Sequence, residues 1–222
     1  MPGLVAALLP LAVAIAVNPI PIIAVILILQ SPRARASGSA FVGAWILALS
    51  TLGGVAVALA NHTDLYGSGS ASPVARVIRG VVGVLLLYLA VRKWLGRPRG
   101  GDPVSTPAWM TRLATTTPGR SFALGAGLSG GNPKNIALTL AAAAAIVEEG
   151  LPLTTEGIAL LVFVALATLG VAIPYLVLLV LGGRADQVLS SWGDWLTRHN
   201  AAVLAIVLTI IGVLLIAGAI RG

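Results

Sequence analysis

Residues 127–135 read Gly127-Leu128-Ser129-Gly130-Gly131-Asn132-Pro133-Lys134-Asn135, and they sit inside an apolar run from Gly119 to Val147. The run exceeds the ~20 residues a helix needs to cross a hydrocarbon core. Proline nevertheless removes a backbone donor and clashes with the turn before it. It suits the first position of a helix, and asparagine is a favoured N-cap. The stretch therefore predicts a spanning helix that breaks near its middle and restarts at Pro133, with Gly125, Gly127, Gly130 and Gly131 making an unwound approach to the break. Asn18-Pro19-Ile20-Pro21 repeats the device inside the run Leu4–Gln30. Each restart exposes unpaired N–H groups and the positive end of a helix dipole, which suits an anion. Interrupted backbone at that depth is tolerated only where it packs in protein or lines a wet cavity.

The surrounding composition belongs to a membrane. Of 222 residues, 58% are hydrophobic and 9% charged, and mean hydropathy is +1.00, whereas soluble domains are about a quarter charged. Four further apolar runs, Ser37–Ala60, Val74–Leu95, Thr154–Leu181 and Ala201–Ala219, bring the expected spans to six. The first run lacks the basic segment of a cleaved signal peptide, so it is expected to remain as a span. Cysteine is absent, which excludes disulfides and thiolate chemistry.

Three sequence echoes recur in order. The Asn-Pro pairs are offset by 114 residues, Ala48-Leu49-Ser50-Thr51-Leu52-Gly53 and Ala165-Leu166-Ala167-Thr168-Leu169-Gly170 by 117, and the Gly-Val-Leu-Leu runs at Gly83 and Gly212 by 129. The expected fold class is thus an all-α integral membrane protein: six transmembrane helices as two inverted three-helix repeats, with helices 1 and 4 broken at Asn-Pro. An odd number of spans per repeat forces the inversion, an architecture of many secondary transporters. The repeats take residues 1–96 and 119–222, joined by a basic cytoplasmic linker at 97–118 containing a short interfacial helix around Trp109, Met110, Arg112 and Leu113. Asp186–Trp192 is expected to form a similar piece before the last span.

The net charge of +7 reads as topology rather than nucleic-acid binding. Arg33, Arg35, Arg92, Lys93, Arg97, Arg99, Arg112, Arg120, Arg184 and Arg198 gather on one side, against Arg76, Arg79 and Arg221 on the other. The positive-inside rule then places both termini outside the cytoplasm. Trp94, Trp109, Trp192 and Trp195 would belt the cytoplasmic interface.

Lys134 is the one basic residue expected at mid-span, where a charge costs at least ~2.5–3.5 kcal/mol. Snorkelling to an interface is the bland account; facing a cavity and an anionic ligand group is the functional one. The candidate substrate-binding residues are Asn18, Pro19, Pro21, Asn132, Pro133, Lys134 and Asn135, and the candidate helix-packing residues Gly53, Gly127, Gly131 and Gly170. Ser129 fits G-x-S-x-G, but His62 and His199 lie too near interfaces to serve it as a base. Asp, Glu, Cys and His are absent from the expected helix interiors, which argues against a metal substrate, a bound metal or a carboxylate proton relay. No cofactor is expected.

Asn18-Pro19-Ile20-Pro21, Asn132-Pro133-Lys134-Asn135, Pro107-Ala108-Trp109-Met110 and Thr117-Pro118-Gly119 together resemble the lysine-exporter superfamily, closest to its branch of glycopeptidolipid- and sulfolipid-addressing proteins. The likeness covers essentially the whole chain. It implies a bacterial inner-membrane protein, not an enzyme, that moves a large amphipathic lipid or lipid-linked product outward. The superfamily also exports basic amino acids, but this chain lacks embedded acids to meet a cation. The leading expectation is an exporter or flippase for an anionic or polar-headed lipid. The alternatives are a small-molecule exporter and a scaffold that docks a lipid-synthesising enzyme or a larger exporter.

Overall fold

The structure, a computed structural model, describes residues 2–62, 80, 83–84, 87–92, 94–96 and 113–221. Helices α1 (Pro2–Ala16) and α2 (Pro19–Leu29) meet at a bend of 48°. The α3 helix (Ala34–His62) follows. Beyond Thr117, α4 (Pro118–Gly130) and α5 (Pro133–Glu148) are separated by the second Asn-Pro. Last come α6 (Leu153–Leu181) and α7 (Ala185–Arg221). No strand occurs among the described residues. The expected helix Val74–Leu95 is described only in part, and the linker segment 97–112, with Trp109 and Arg112, lies outside the described residues, as do Asp64, Arg76 and Arg79.

Both expected breaks are present, and their backbones match. Asn18 has φ −76° and ψ 114°, and Asn132 has φ −86° and ψ 116°. A residue before proline is pushed out of the helical region by the ring, so both asparagines take an extended conformation and hand the chain to a proline-started helix.

The packing interleaves the two halves of the chain. The long α3 contacts α4, α5 and α6, while α6 contacts α1 and α2 and α1 meets α5. The core between them holds Ile26, Phe41, Trp45, Leu49, Phe163 and Leu189, all buried. Phe41 and Trp45 stack with ring centres 6.2 Å apart. Outward faces are equally apolar: Val5, Leu9 and Val13 on α1, and Leu161, Leu176 and Val180 on α6, are exposed. Surface like this needs a hydrocarbon solvent. Two described helical stretches, Ala34–Asn61 and one within Leu153–His199, are long and apolar enough to cross a membrane; the bent pair Ala7–Ala16 and Pro19–Leu29 adds a third if it is one span.

The last helix differs from expectation. The α7 helix begins at Ala185 rather than Ala201, so Asp186–Trp192 is its opening and not a separate interfacial piece. No glycine–proline break divides the two parts. Ser190, Ser191 and Thr197 satisfy their hydroxyls on carbonyls of the preceding turn, which lets polar residues continue the helix. Ala185 and Leu189 are buried, and Gly193 faces Ile26 of α2, where an added Cβ would lie 3.3 Å from the Ile26 Cγ2. At 37 residues the helix runs about 55 Å, well beyond a hydrocarbon core of ~30 Å.

Gly83 and Gly212 face each other. A Cβ on Gly83 would lie 3.0 Å from the Gly212 carbonyl oxygen and 2.7 Å from Ile216, while one on Gly212 would lie 2.9 Å from the Gly83 oxygen and 2.8 Å from Leu87. The contact is reciprocal, and its four residues pair at the same offset of 129 read from the sequence.

Candidate functional site: the linked helix breaks

Breaking a helix at proline strands the carbonyls of the turn before it, and in an apolar interior each needs a donor. At the second break, Pro133 has no N–H for the Ser129 carbonyl. Asn135 supplies the donors from inside α5: its Nδ2 donates to the Leu128 and Ser129 oxygens, each at 3.2 Å. Asn132 caps α5 by accepting the Lys134 backbone N–H through Oδ1 at 3.0 Å.

The first break has different chemistry. Its third helical position is Pro21, so one of the two N–H groups an N-cap uses is missing. Asn18 makes no side-chain cap. It is buried, and its Oδ1 has no partner among the described residues. The Asn18 N–H turns to the Ile15 oxygen at a long 3.4 Å, leaving the Ala14 oxygen outside the helical ladder. Lys134 fills that vacancy from the other half of the chain: its Nζ donates to Ala14 O at 2.7 Å.

Lys134 therefore does not snorkel away from the interior; it joins the restart of α5 to the negative C-terminal end of α1. An ammonium carries three donors, and Ala14 is its one protein partner among the described residues. Along the same helix, Asn135 and Thr139 are fully buried with Oδ1 and Oγ1 unpartnered. Pro19 and Pro21 are buried, whereas Pro133 is exposed.

Of the packing glycines, two make close approaches. A side chain on Gly170 would collide with the Ala16 carbonyl beside the first break, and one on Gly53 would lie 2.6 Å from Leu160 and 3.4 Å from Thr139. Among the described residues Gly127 and Gly131 do not form the expected contact surface: no described atom lies near a Cβ on Gly127, and a Cβ on Gly131 would meet Gly127's own carbonyl. The buried stripe of α4 is Ser121, Gly125 and Ser129, one helical turn apart, with Gly125 pressed against the Phe41 carbonyl. The G-x-S-x-G serine is part of that packing, since Ser129 Oγ donates to Trp45 O at 3.2 Å. His199 pairs through Nδ1 with the Trp195 carbonyl at 2.8 Å.

One feature escaped the sequence reading. Glu156, at the very start of the expected span Thr154–Leu181, lies in the first turn of α6 and is 3% exposed, so a helix does bury a carboxylate. Asn61 Nδ2, at the end of α3, donates to its Oε2 at 2.7 Å. An Asn and a Glu in polar termini 95 residues apart carry no local signal of such a pair. Among the described residues no group of three potential metal ligands assembles. Trp94, Trp192 and Trp195 are exposed, and Trp109 lies outside the described residues.

The helices, their apolar outer faces and a polar interior at two interruptions define an integral membrane protein of all-helical type. The particular family follows from the sequence comparison: the family described as Sap, sulfolipid-1-addressing protein, matches residues 8–221, and the chain belongs to it. Membership brings a lipid-related membrane function. No curated protein and no solved structure matches the chain.

Proposed function

We propose that this protein is an exporter or flippase that moves an amphipathic, anionic or polar-headed lipid or glycolipid out of the cytoplasmic leaflet, without enzymatic chemistry. The headgroup engages the two helix breaks while the tails stay in the bilayer. The observation that carries this reading is the Lys134–Ala14 bond beside the unpartnered Asn18. A cation and an unpartnered amide oxygen sit where two broken helices meet, and a ligand with acidic and hydroxyl groups engages both. Two cavities formed by described residues, one around Trp94 and Thr209 and one around Arg33 and Gly183, are not lined by Asn18, Asn132 or Lys134. In this reading the headgroup displaces Lys134 from the Ala14 carbonyl, so the bridge opens during transport.

We further assign the chain to the lysine-exporter superfamily as two inverted three-helix repeats with six spans. Several observations support this. The breaks share one backbone conformation. The helix contacts exchange under the repeat: α3 with α4 and α5 corresponds to α6 with α1 and α2. Gly83 and Gly212 meet reciprocally, as a residue near a two-fold axis meets its mate. The basic ends at Arg33, Arg35 and Arg184 then face the cytoplasm of a bacterial inner membrane, with both termini outside.

Reconstitution tests the reading. Purified protein in liposomes made with lipid extracts should accelerate movement of a polar-headed lipid between leaflets, and Lys134→Met should abolish it. Absence of movement for every lipid tried, with protein correctly inserted, overturns the proposal in favour of a scaffold.

A further inference from the structure

At one end of the bundle the α2–α3 turn lies against the α6–α7 turn, and between them is an open cavity of about 560 Å³ lined by Leu29–Ala36, Leu178, Gly182, Gly183 and Asp186. Its donors are concentrated. Arg33 and Arg35 are both on the wall and exposed. The wall includes the opening turn of α3, a 29-residue helix. There the Ala34 N–H goes to Ser31 O and the Ser37 N–H to Arg33 O, while the Arg35 and Ala36 N–H groups have no partner among the described residues. Ser31, also on the wall, is 6% exposed and its hydroxyl has no partner among the described residues. Asp186 is the acid on the wall, leaving it net positive. The volume is that of an ordinary small-ligand site.

We propose that this cavity binds a phosphate- or sulfate-type oxyanion, and that in the membrane the oxyanion is the headgroup of an anionic lipid loaded before it reaches the helix breaks. Two guanidinium groups match such an oxyanion in bidentate fashion. Free N–H groups at a long helix's start add directed donors and the positive dipole end. The Ser31 hydroxyl, turning about its Cα–Cβ bond, completes the set. Only the loading role rests on the exporter reading; the binding itself does not.

The test uses the full chain in phosphatidylcholine nanodiscs. Binding of a short-chain phosphatidic acid is measured at equilibrium, with inorganic sulfate and short-chain phosphatidylcholine as comparisons. Phosphatidic acid should bind and phosphatidylcholine should not. Arg33→Gln with Arg35→Gln should weaken binding roughly tenfold or more. Gly183→Trp separates a pocket from a basic surface: its Cβ points into open space, so the ring plugs the cavity while both arginines remain. It should abolish binding, and Ser31→Ala should weaken it. Sulfate competing as strongly as the lipid assigns the cavity to free oxyanions; weak competition assigns it to lipid headgroups. Unchanged binding in Gly183→Trp, or equal binding of phosphatidylcholine, overturns the inference. Lipid movement measured on the same variants keeps the two proposals apart: movement without headgroup binding sinks this one alone, and binding without movement sinks the exporter alone.

Discussion

Lys134 reaches across the molecule to the carbonyl of Ala14, 2.7 Å from its Nζ, and thereby does for the first helix break what Asn135 does for the second. The position matching Asn135 at the 114-residue offset is Pro21, which has no donor to give. One break is closed from within and the other from outside, so a single side chain couples the two breaks. The proposed transport cycle therefore turns on Lys134, since releasing Ala14 removes this link between the breaks.

Replacing Lys134 with Met removes a charge-assisted hydrogen bond worth about 1.5–3 kcal/mol and leaves the Ala14 carbonyl without a donor. Thermal denaturation in detergent should fall, and lipid movement should be lost even at temperatures where the variant stays folded. Lys134→Arg should not restore movement, because a planar fork does not replace a compact ammonium. A Lys134→Met protein that transports at the full rate contradicts the proposed role.

Asn135→Leu deletes two donors to the end of α4, each worth about 0.5–1.5 kcal/mol. Thermal stability should drop by about 1–3 kcal/mol. Asn135→Asp should be worse, since a carboxylate would face the Leu128 and Ser129 carbonyls. Equal stability of Asn135→Asp and the parent would show that the clamp contributes nothing.

Gly170 and Gly127 should respond oppositely to alanine. At Gly170 the methyl meets the Ala16 carbonyl, and overpacking costs about 1–3 kcal/mol. At Gly127 the space is open, and alanine gains about 0.5–1 kcal/mol of helix propensity. Parallel melting curves decide it; a destabilised Gly127→Ala would restore the expected contact at that face.

The buried carboxylate offers a separate check. Asn61→Ala takes the described partner from Glu156, costing about 1.5–3 kcal/mol if the carboxylate stays charged. Glu156→Gln can keep a bond to Asn61 and should be milder. The double variant Asn61→Ala with Glu156→Leu should recover part of the loss, as a double-mutant cycle of melting temperatures would record.

Topology is testable because the chain has no cysteine of its own. Single cysteines at Arg35 and Gly183 should react with an impermeant thiol reagent from one face of the membrane, and one at Glu149 from the other. Labelling of Gly183 and Glu149 from the same face would mean that α6 does not cross.

The linear chain was sufficient for whatever depends on neighbouring residues. Asn18-Pro19 and Asn132-Pro133 dictate two helix breaks because a proline ring restricts the residue before it and withholds a donor from the turn behind it. Composition set the solvent as hydrocarbon, and Ala34–His62 and Leu153–Leu181 came out within a few residues of their apolar runs. The start of α7 did not, since its first turns are polar and are held by contact with α2, where Gly193 meets Ile26, and by burial of Ala185 and Leu189. The same limit hid Glu156 beside Asn61, and the register that turns Gly125 rather than Gly127 toward α3. Above all, tertiary structure chose the partner of Lys134. A stranded carbonyl takes whichever donor the fold brings within reach, and which one arrives across 120 residues of chain is a matter of packing that no local pattern encodes.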